Sequence, residues 1–276
     1  MTFSFERLAG SDAVVIMGII NLSPDSFYSQ SRCNSLDDAL RSAEKMVEEG
    51  AHILDLGAES TRPGSKEVSI EVQLERLLPV ISKLKNEFDI PISVDTYKPK
   101  VGLAALQEGA VVINDISGLQ WSNEMAQIVA KCEAGLVLMH MRGTPETMQE
   151  NPTYDDVVED VLNFLHRSVK TAETAGISSE SIAVDPGIGF GKTLNHNLEL
   201  IAGLDRLKVL NKKILLGVSR KSFIGEILQL DIEDRLEGSL AAGITGVING
   251  ASILRVHDVA ETVRAVRVAQ FIKNIH

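Results

Sequence analysis

The chain has 276 residues, 44% of them apolar and 24% charged, the balance of an ordinary globular enzyme with room for one large domain or two small ones. Its 27 basic and 38 acidic side chains leave a net charge of −11, which argues against a general nucleic-acid or anionic-membrane surface but leaves room for a local basic site. No apolar run approaches the roughly 18 residues of a membrane span, the stretch from Met1 to Gly10 does not read as a signal peptide, and Cys33 and Cys132, without metal-like spacing, read as free thiols of a reducing, cytoplasmic compartment.

Short apolar runs alternate with longer amphipathic ones. A strand is predicted at Val14–Asn21, then a helix from Ser35 to Glu49, opened by a capping Ser and closed by Gly50. The second strand is Ile53–Gly57, and Val72–Phe88 behind it places Leu74, Leu77, Leu78, Ile81 and Leu84 at helical spacing. The pattern repeats as strand Ile92–Asp95 with helix Val101–Gln107, strand Val111–Asp115 with helix Met125–Lys131, and strand Leu136–His140 with helix Tyr154–Ala175. It continues as Ile182–Asp185 with Leu198–Leu210, Ile214–Val218 with Arg235–Asn249, and Ile253–Val256 with Val259–Ile272. The strands are near-continuous Val, Ile and Leu, as expected when both faces are buried. Eight strand–helix units in this length predict a single α/β domain over residues 1–276, a closed parallel (β/α)8 barrel, with an open doubly wound sheet as the competing arrangement. The small residues Gly238, Ala241, Ala242, Gly243 and Gly246 suit close helix packing, either inside the barrel shell or across a dimer.

The active site of such a barrel lies at the C-terminal ends of its strands. The tips here are Asn21, Glu59-Ser60-Thr61-Arg62, Asp95, Asn114-Asp115, His140, Asp185, Ser219-Arg220-Lys221 and Arg255-Val256-His257, and each is polar or ionisable. The sixth is the most informative, because Val184-Asp185-Pro186 opens into a loop with glycine at 187, 189 and 191. Those glycines let backbone approach a ligand closely. The segment ends in Gly-Lys-Thr, but Pro186 stands where a Walker loop needs glycine, and the spacing is not the dinucleotide fingerprint.

The tips divide into two chemistries. Asp95, Asn114, Asp115 and Asp185 supply acceptors, suited to a flat heterocycle that displays several N–H groups on one edge. Arg62, Arg220, Lys221, Arg255 and, when protonated, His257 supply cationic donors suited to phosphate or carboxylate. Taken singly, several have a plainer reading. Asp95 and Asp115 could be helix caps, Arg220-Lys221 a solvated pair, and His52 and His140 satisfied structural histidines.

In chain order, Met17-Gly18-Ile19-Ile20-Asn21-Leu22-Ser23-Pro24-Asp25-Ser26-Phe27, Asp55-Leu56-Gly57-Ala58-Glu59-Ser60-Thr61-Arg62-Pro63-Gly64, Ser93-Val94-Asp95-Thr96 and Ile113-Asn114-Asp115-Ile116 resemble signatures of the dihydropteroate synthases. So do Met139-His140-Met141, Asp185 to Lys192, Ser219-Arg220-Lys221-Ser222 and Arg255-Val256-His257-Asp258. The resemblance implies a (β/α)8 barrel transferase of folate biosynthesis and a sulfonamide target. In its reaction 4-aminobenzoate displaces pyrophosphate from 6-hydroxymethyl-7,8-dihydropterin diphosphate. It casts Asp95, Asp185, Lys221 and Arg255 as the catalytic set, and Asp95, Asn114, Met139, Asp185, Lys221 and Arg255 as the pterin site. Asn21, Thr61, Arg255 and His257 would hold the diphosphate, with Asn21 also reaching Mg²⁺. Phe27, Arg62, Pro63, Phe190, Ser219 and Ser222 would form or order the aminobenzoate site, Asp115 would be structural, and the protein would be a homodimer. The first loop departs from the family, with Tyr28-Ser29-Gln30-Ser31 in place of Ser-Asp-Gly-Gly, so no carboxylate is available there for Arg62. Two alternatives share the pterin edge: a pterin-binding methyltransferase domain and a non-catalytic pterin-binding paralogue.

Overall fold

Eight parallel strands close into a barrel in sequence order, each hydrogen-bonded to its chain neighbours and the last to the first. The structure is a computed structural model that describes residues 2–8, 13–22, 33, 35–60, 65 and 67–273. The strands are β1 (Val15–Asn21), β2 (Ile53–Gly57), β3 (Ile92–Asp95), β4 (Val112–Asp115), β5 (Gly135–Met139), β6 (Ile182–Asp185), β7 (Lys213–Leu216) and β8 (Ile253–Val256). Around them run α1 (Leu36–Glu48), α2 (Ile70–Glu87), α3 (Pro99–Glu108), α4 (Glu124–Lys131), α5 (Val157–Thr174), α6 (Leu194–Ala202), α7 (Ser222–Leu228), α8 (Leu236–Asn249) and α9 (Val259–Lys273). The barrel reading of the sequence holds. Among the described residues, no helix is long and apolar enough to cross a membrane.

Side chains alternate between the two faces of a strand, and here both faces are buried. One set (Val15, Met17, Ile53, Val112, Val137, Ala183, Leu215 and Ile253) fills the barrel interior. The alternate set, including Ile16, Leu54, Val94, Ile113, Leu136, Val184, Ile214 and Leu254, packs outward into the helical shell. Each such Leu, Ile or Val contributes roughly 1.5–3 kcal/mol when removed from water. Phe5, on a short 3₁₀ turn at Phe5–Arg7, joins the interior set with Phe3 and Leu8 beside it. This aromatic closure of the N-terminal end carries no periodic signal in the sequence.

Capping residues account for several differences from the predicted boundaries. Helix α2 starts at Ile70 because Ser69 accepts the Val72 N–H, and α5 starts at Val157 because Asp156 accepts the Glu159 N–H at 2.9 Å. The run expected as one helix, Leu198–Leu210, is instead α6, a break at Gly203 and a 3₁₀ segment Leu204–Leu210. Helix α7 was not anticipated. It is short and follows β7 directly, with Lys221 at its N-cap position. The glycines of α8 serve packing within the chain: a Cβ on Gly246 would lie 2.1 Å from Leu216 Cδ2, and one on Gly238 would lie 2.3 Å from Ile224 Cγ2.

Candidate active site

Alternation decides which strand tips face the cavity. Asp95 lies two residues beyond Ser93, Asn114 beyond Val112, Met139 beyond Val137, Asp185 beyond Ala183 and Arg255 beyond Ile253, so all five share the face of the interior set. On β2 the same face runs Ile53, Asp55, Gly57. Asp115, one residue past Asn114, points the other way. Its carboxylate accepts the Ser117 N–H at 2.8 Å, the Ser117 hydroxyl at 2.7 Å and the Leu119 N–H at 2.9 Å, so it is structural, as expected.

A charged cluster spans the mouth. The Arg255 guanidinium donates from Nε to Asp55 Oδ2 at 2.6 Å and from Nη2 to Asp95 Oδ2 at 2.9 Å. Asn114 Nδ2 donates to the same Asp55 oxygen at 3.2 Å. Asp55 Oδ1, Asp95 Oδ1 and Asn114 Oδ1 are buried with no hydrogen-bond partner among the described residues. Buried acceptors in that state cost free energy until something donates to them. Burial pushes the Asp95 carboxyl up to about 7, with Arg255 opposing and Asp55 reinforcing the rise. Burial also raises Asp185, against the pull of Lys221 and of the Gly187 N–H that donates to Asp185 Oδ1 at 2.7 Å.

The cationic side faces these acids. Lys221 Nζ donates to the Ile188 carbonyl and sits 4.8 Å over the Phe190 ring. Burial lowers its ammonium to about 8, with Asp185 opposing. Arg255 is raised: burial works against its charge, but Asp55 and Asp95 outweigh that. His257 is held down to about 3 by burial first and then by Arg255, Arg220 and Lys221, so it is a neutral imidazole rather than the cation considered from sequence. Ser219 Oγ accepts the His257 backbone N–H at 3.2 Å and lies 3.0 Å from His257 Nδ1. In the tautomer where the Ser219 hydroxyl donates to Nδ1, the ring proton lies on Nε2 as a neutral donor.

The β6 loop shows why its glycines are required. Gly187 has φ +69°, and a Cβ there would lie 1.9 Å from the His140 carbonyl oxygen. Lys192, from the same loop, is buried with Nζ 2.9 Å from His140 Nδ1 and 2.9 Å from the Phe190 carbonyl. It therefore ties the loop to the end of β5, and His140 is structural, as is His52, whose Nδ1 accepts the Ile16 N–H at 3.0 Å. Phe190 joins Ile116, Met139, Met141, Met148 and Tyr97 in an apolar wall of the mouth.

Arg220 corrects the sequence reading. It is buried, donates through Nε and Nη2 to both Asp258 oxygens at 2.9 and 2.8 Å, and reaches the Ile232 and Glu233 carbonyls, so these contacts anchor the turn before α8. Ser222 is exposed at the start of α7, and Asn21 Oδ1 lies 3.7 Å from where a Gly57 Cβ would stand. Phe27, Thr61, Arg62, Pro63 and the divergent Tyr28–Ser31 lie outside the described residues. Sequence reasoning missed Asp55, which sits inside a strand rather than at its tip. The available signal was a lone acid within Ile53-Leu54-Asp55-Leu56, on the face shared with Ile53.

The sequence pattern of the pterin-binding enzymes matches residues 17–257, from β1 to just past β8. The dihydropteroate synthase of Escherichia coli K12 is 46% identical over 257 residues, covering 92% of this chain and 90% of that protein. The chain belongs to the dihydropteroate synthase family. Solved dihydropteroate synthases superpose closely. The Yersinia pestis enzyme with a sulfonamide drug complex gives a TM-score of 0.91 at 40% identity, covering 96% of this chain and 95% of that one. The Xanthomonas albilineans dihydropteroate synthase with 4-aminobenzoic acid gives 0.88 at 42% identity, covering 95% and 94%.

Proposed function

We propose that the chain condenses 6-hydroxymethyl-7,8-dihydropterin diphosphate with 4-aminobenzoate, giving 7,8-dihydropteroate and pyrophosphate, through the residues gathered at the barrel mouth. The observation that carries this assignment of roles is the pair of acceptors without a partner among the described residues, Asp95 Oδ1 and Asn114 Oδ1, on adjacent strands across from Asp185. A pterin edge supplies the amino and ring N–H groups such a set requires. Met139 and the apolar wall would pack on its faces, and Lys221 and Arg255 would flank the ring and the first phosphate.

The chemistry follows from charge. The methylene C–O bond breaks heterolytically and pyrophosphate leaves with the electron pair. Arg255, the Nε2–H of His257 and the residues at Asn21 and Thr61 stabilise the growing negative charge. Asp95 and Asp185, ionised, favour the positive charge spread over the dihydropterin. The neutral arylamine nitrogen then attacks the methylene, its lone pair forms the C–N bond, and its proton passes to solvent. No covalent protein intermediate is required.

Mg²⁺ fits as a partner of the diphosphate: the Asn21 amide oxygen is one hard donor at the mouth, and such an ion is commonly held by one or two protein oxygens plus phosphates, where it would neutralise leaving-group charge. Phe190, Ser219 and Ser222, with Phe27, Arg62 and Pro63, would order the aminobenzoate end. The protein would act in the cytoplasm as a homodimer. The test is pyrophosphate release from the pterin diphosphate with and without 4-aminobenzoate, beside a methyl-folate transfer assay. Release coupled to dihydropteroate is expected. Methyl transfer without release would replace this reading, and neither reaction would leave only a binding protein.

A further inference from the structure

Asp55 is the one acid of the mouth cluster that sits below the strand tips. It is wholly buried, and a single oxygen, Oδ2, receives both the Arg255 Nε–H at 2.6 Å and the Asn114 amide at 3.2 Å. An oxygen already accepting from a guanidinium can meet an amide only through that amide's NH₂ group. The Asn114 oxygen must therefore face away from Asp55, and it is found buried and without a partner among the described residues. An amide left to itself turns over readily, because its two ends are nearly the same shape. Turned over, Asn114 would bring N–H groups to the place where a ring's amino group needs an acceptor.

We infer that Asp55 is a positioning residue that fixes the orientation of the Asn114 amide, and so sets which pattern of donors a heterocycle must show to be held there. The inference rests on the proposed pterin reading of this site. Arg255 also donates to Asp55, at 2.6 Å, but retains Asp95 at 2.9 Å as a second carboxylate partner. The energetic consequence follows from the asymmetry of buried polar groups: a wrongly turned amide leaves both itself and the ring amino group unsatisfied, which costs more than a missing bond at the surface.

The experiment measures pteroic acid affinity by calorimetry, together with KM for the pterin diphosphate and for 4-aminobenzoate. Asp55→Leu removes the acceptor at similar volume, and Asp55→Asn keeps one acceptor oxygen. We expect Asp55→Leu to weaken pteroic acid at least tenfold and to raise the pterin KM, with the 4-aminobenzoate KM unchanged. Asp55→Asn is expected to stay within threefold of wild type. In an Asn114→Ala background, Asp55→Leu is expected to cost no more than threefold, because the group it orients is gone. Equal losses in both backgrounds, or Asp55→Asn failing as badly as Asp55→Leu, would overturn the inference. Should Asp55→Leu not fold, Asp55→Ala carries the same comparison, with melting temperature as the control. Wild type failing to bind pteroic acid would remove the functional reading and this inference with it; wild type binding with purely additive variants would remove the orienting role alone.

Discussion

Asp95 and Lys221 titrate in opposite senses within one cavity, and both matter to the proposed chemistry. Asp95 rises to about 7, chiefly through burial, and Lys221 falls to about 8 for the same reason. Charge stabilisation needs Asp95 ionised and Lys221 protonated, so kcat/KM for the pterin diphosphate is expected to be bell-shaped, with limbs near 7 and 8. Asp95→Asn should lose the acid limb with its activity, and Lys221→Arg should move the basic limb upward; a flat profile between pH 6 and 9 would contradict the assignment. The stability effect has a defined sign. An acid raised in the folded state holds its proton there while the unfolded chain has lost it, so between about 4 and 7 Asp95 makes the unliganded fold less stable as pH rises. Thermal midpoints should fall more steeply across that window in wild type than in Asp95→Asn. At this scale much of the proposed site was legible, because tip acids and bases stand out against apolar strands. Asp55 was not, since nothing in a single sequence distinguishes an acid inside a barrel from one at its rim until the strand's inward face is known. Arg220 failed for the reverse reason: its neighbour Lys221 looks equivalent in sequence, but a positive φ of 55° at Arg220 turns it toward Asp258.

The β6 loop acts as a unit. Gly187 meets His140 backbone, Ile188 offers its carbonyl to Lys221, Phe190 lies under Lys221, and Lys192 returns to His140. The two glycines at 187 and 189 both have positive φ but different surroundings. A Cβ at 189 would meet only Lys221 Cδ at 3.5 Å, an ordinary contact, with φ +84°. Gly189→Ala should cost only the backbone strain, about 1 kcal/mol, or ~2–4 °C in thermal midpoint. Gly187→Ala adds a collision with fixed backbone and should cost roughly 3 kcal/mol or more while raising the pterin KM, because Lys221 loses its anchor. Equal midpoints for the two variants would show that the loop is not held as described. The existence of this loop was plain from its glycines. The helix boundaries around it were less so: Thr193 caps α6 with its hydroxyl on the His196 N–H, and a helix then breaks at Gly203, where the apolar spacing by itself continues without interruption.

Over the whole molecule, the barrel was readable because eight doubly buried strands leave eight near-continuous apolar runs, whereas association surfaces leave no such periodic mark. The small-residue stripe of α8, which could have served a dimer, is filled from within by Leu216 and Ile224. The outward apolar residues are different ones. Ile227 and Leu228 on α7, Ile248 on α8, and Val268 and Phe271 on α9 are exposed, Ile248 at 70% and Phe271 at 68%, on helices that pack side by side. Singly exposed apolar side chains are normal, whereas several on adjoining helices are where an association surface is to be sought. On this basis the contact of the proposed homodimer is predicted to lie on the α7–α9 side. Sedimentation should give twice the 30.0 kDa chain mass. Ile248→Asp with Phe271→Asp should halve it at micromolar concentration, because two carboxylates would otherwise be desolvated in the interface. The substitutions lie on helices at the outer shell, so pteroic acid affinity should stay within threefold even as the mass falls. A wild-type mass of one chain would refute the homodimer. A dimer indifferent to both aspartates would place the contact on another face, leaving this apolar set to be explained by something else.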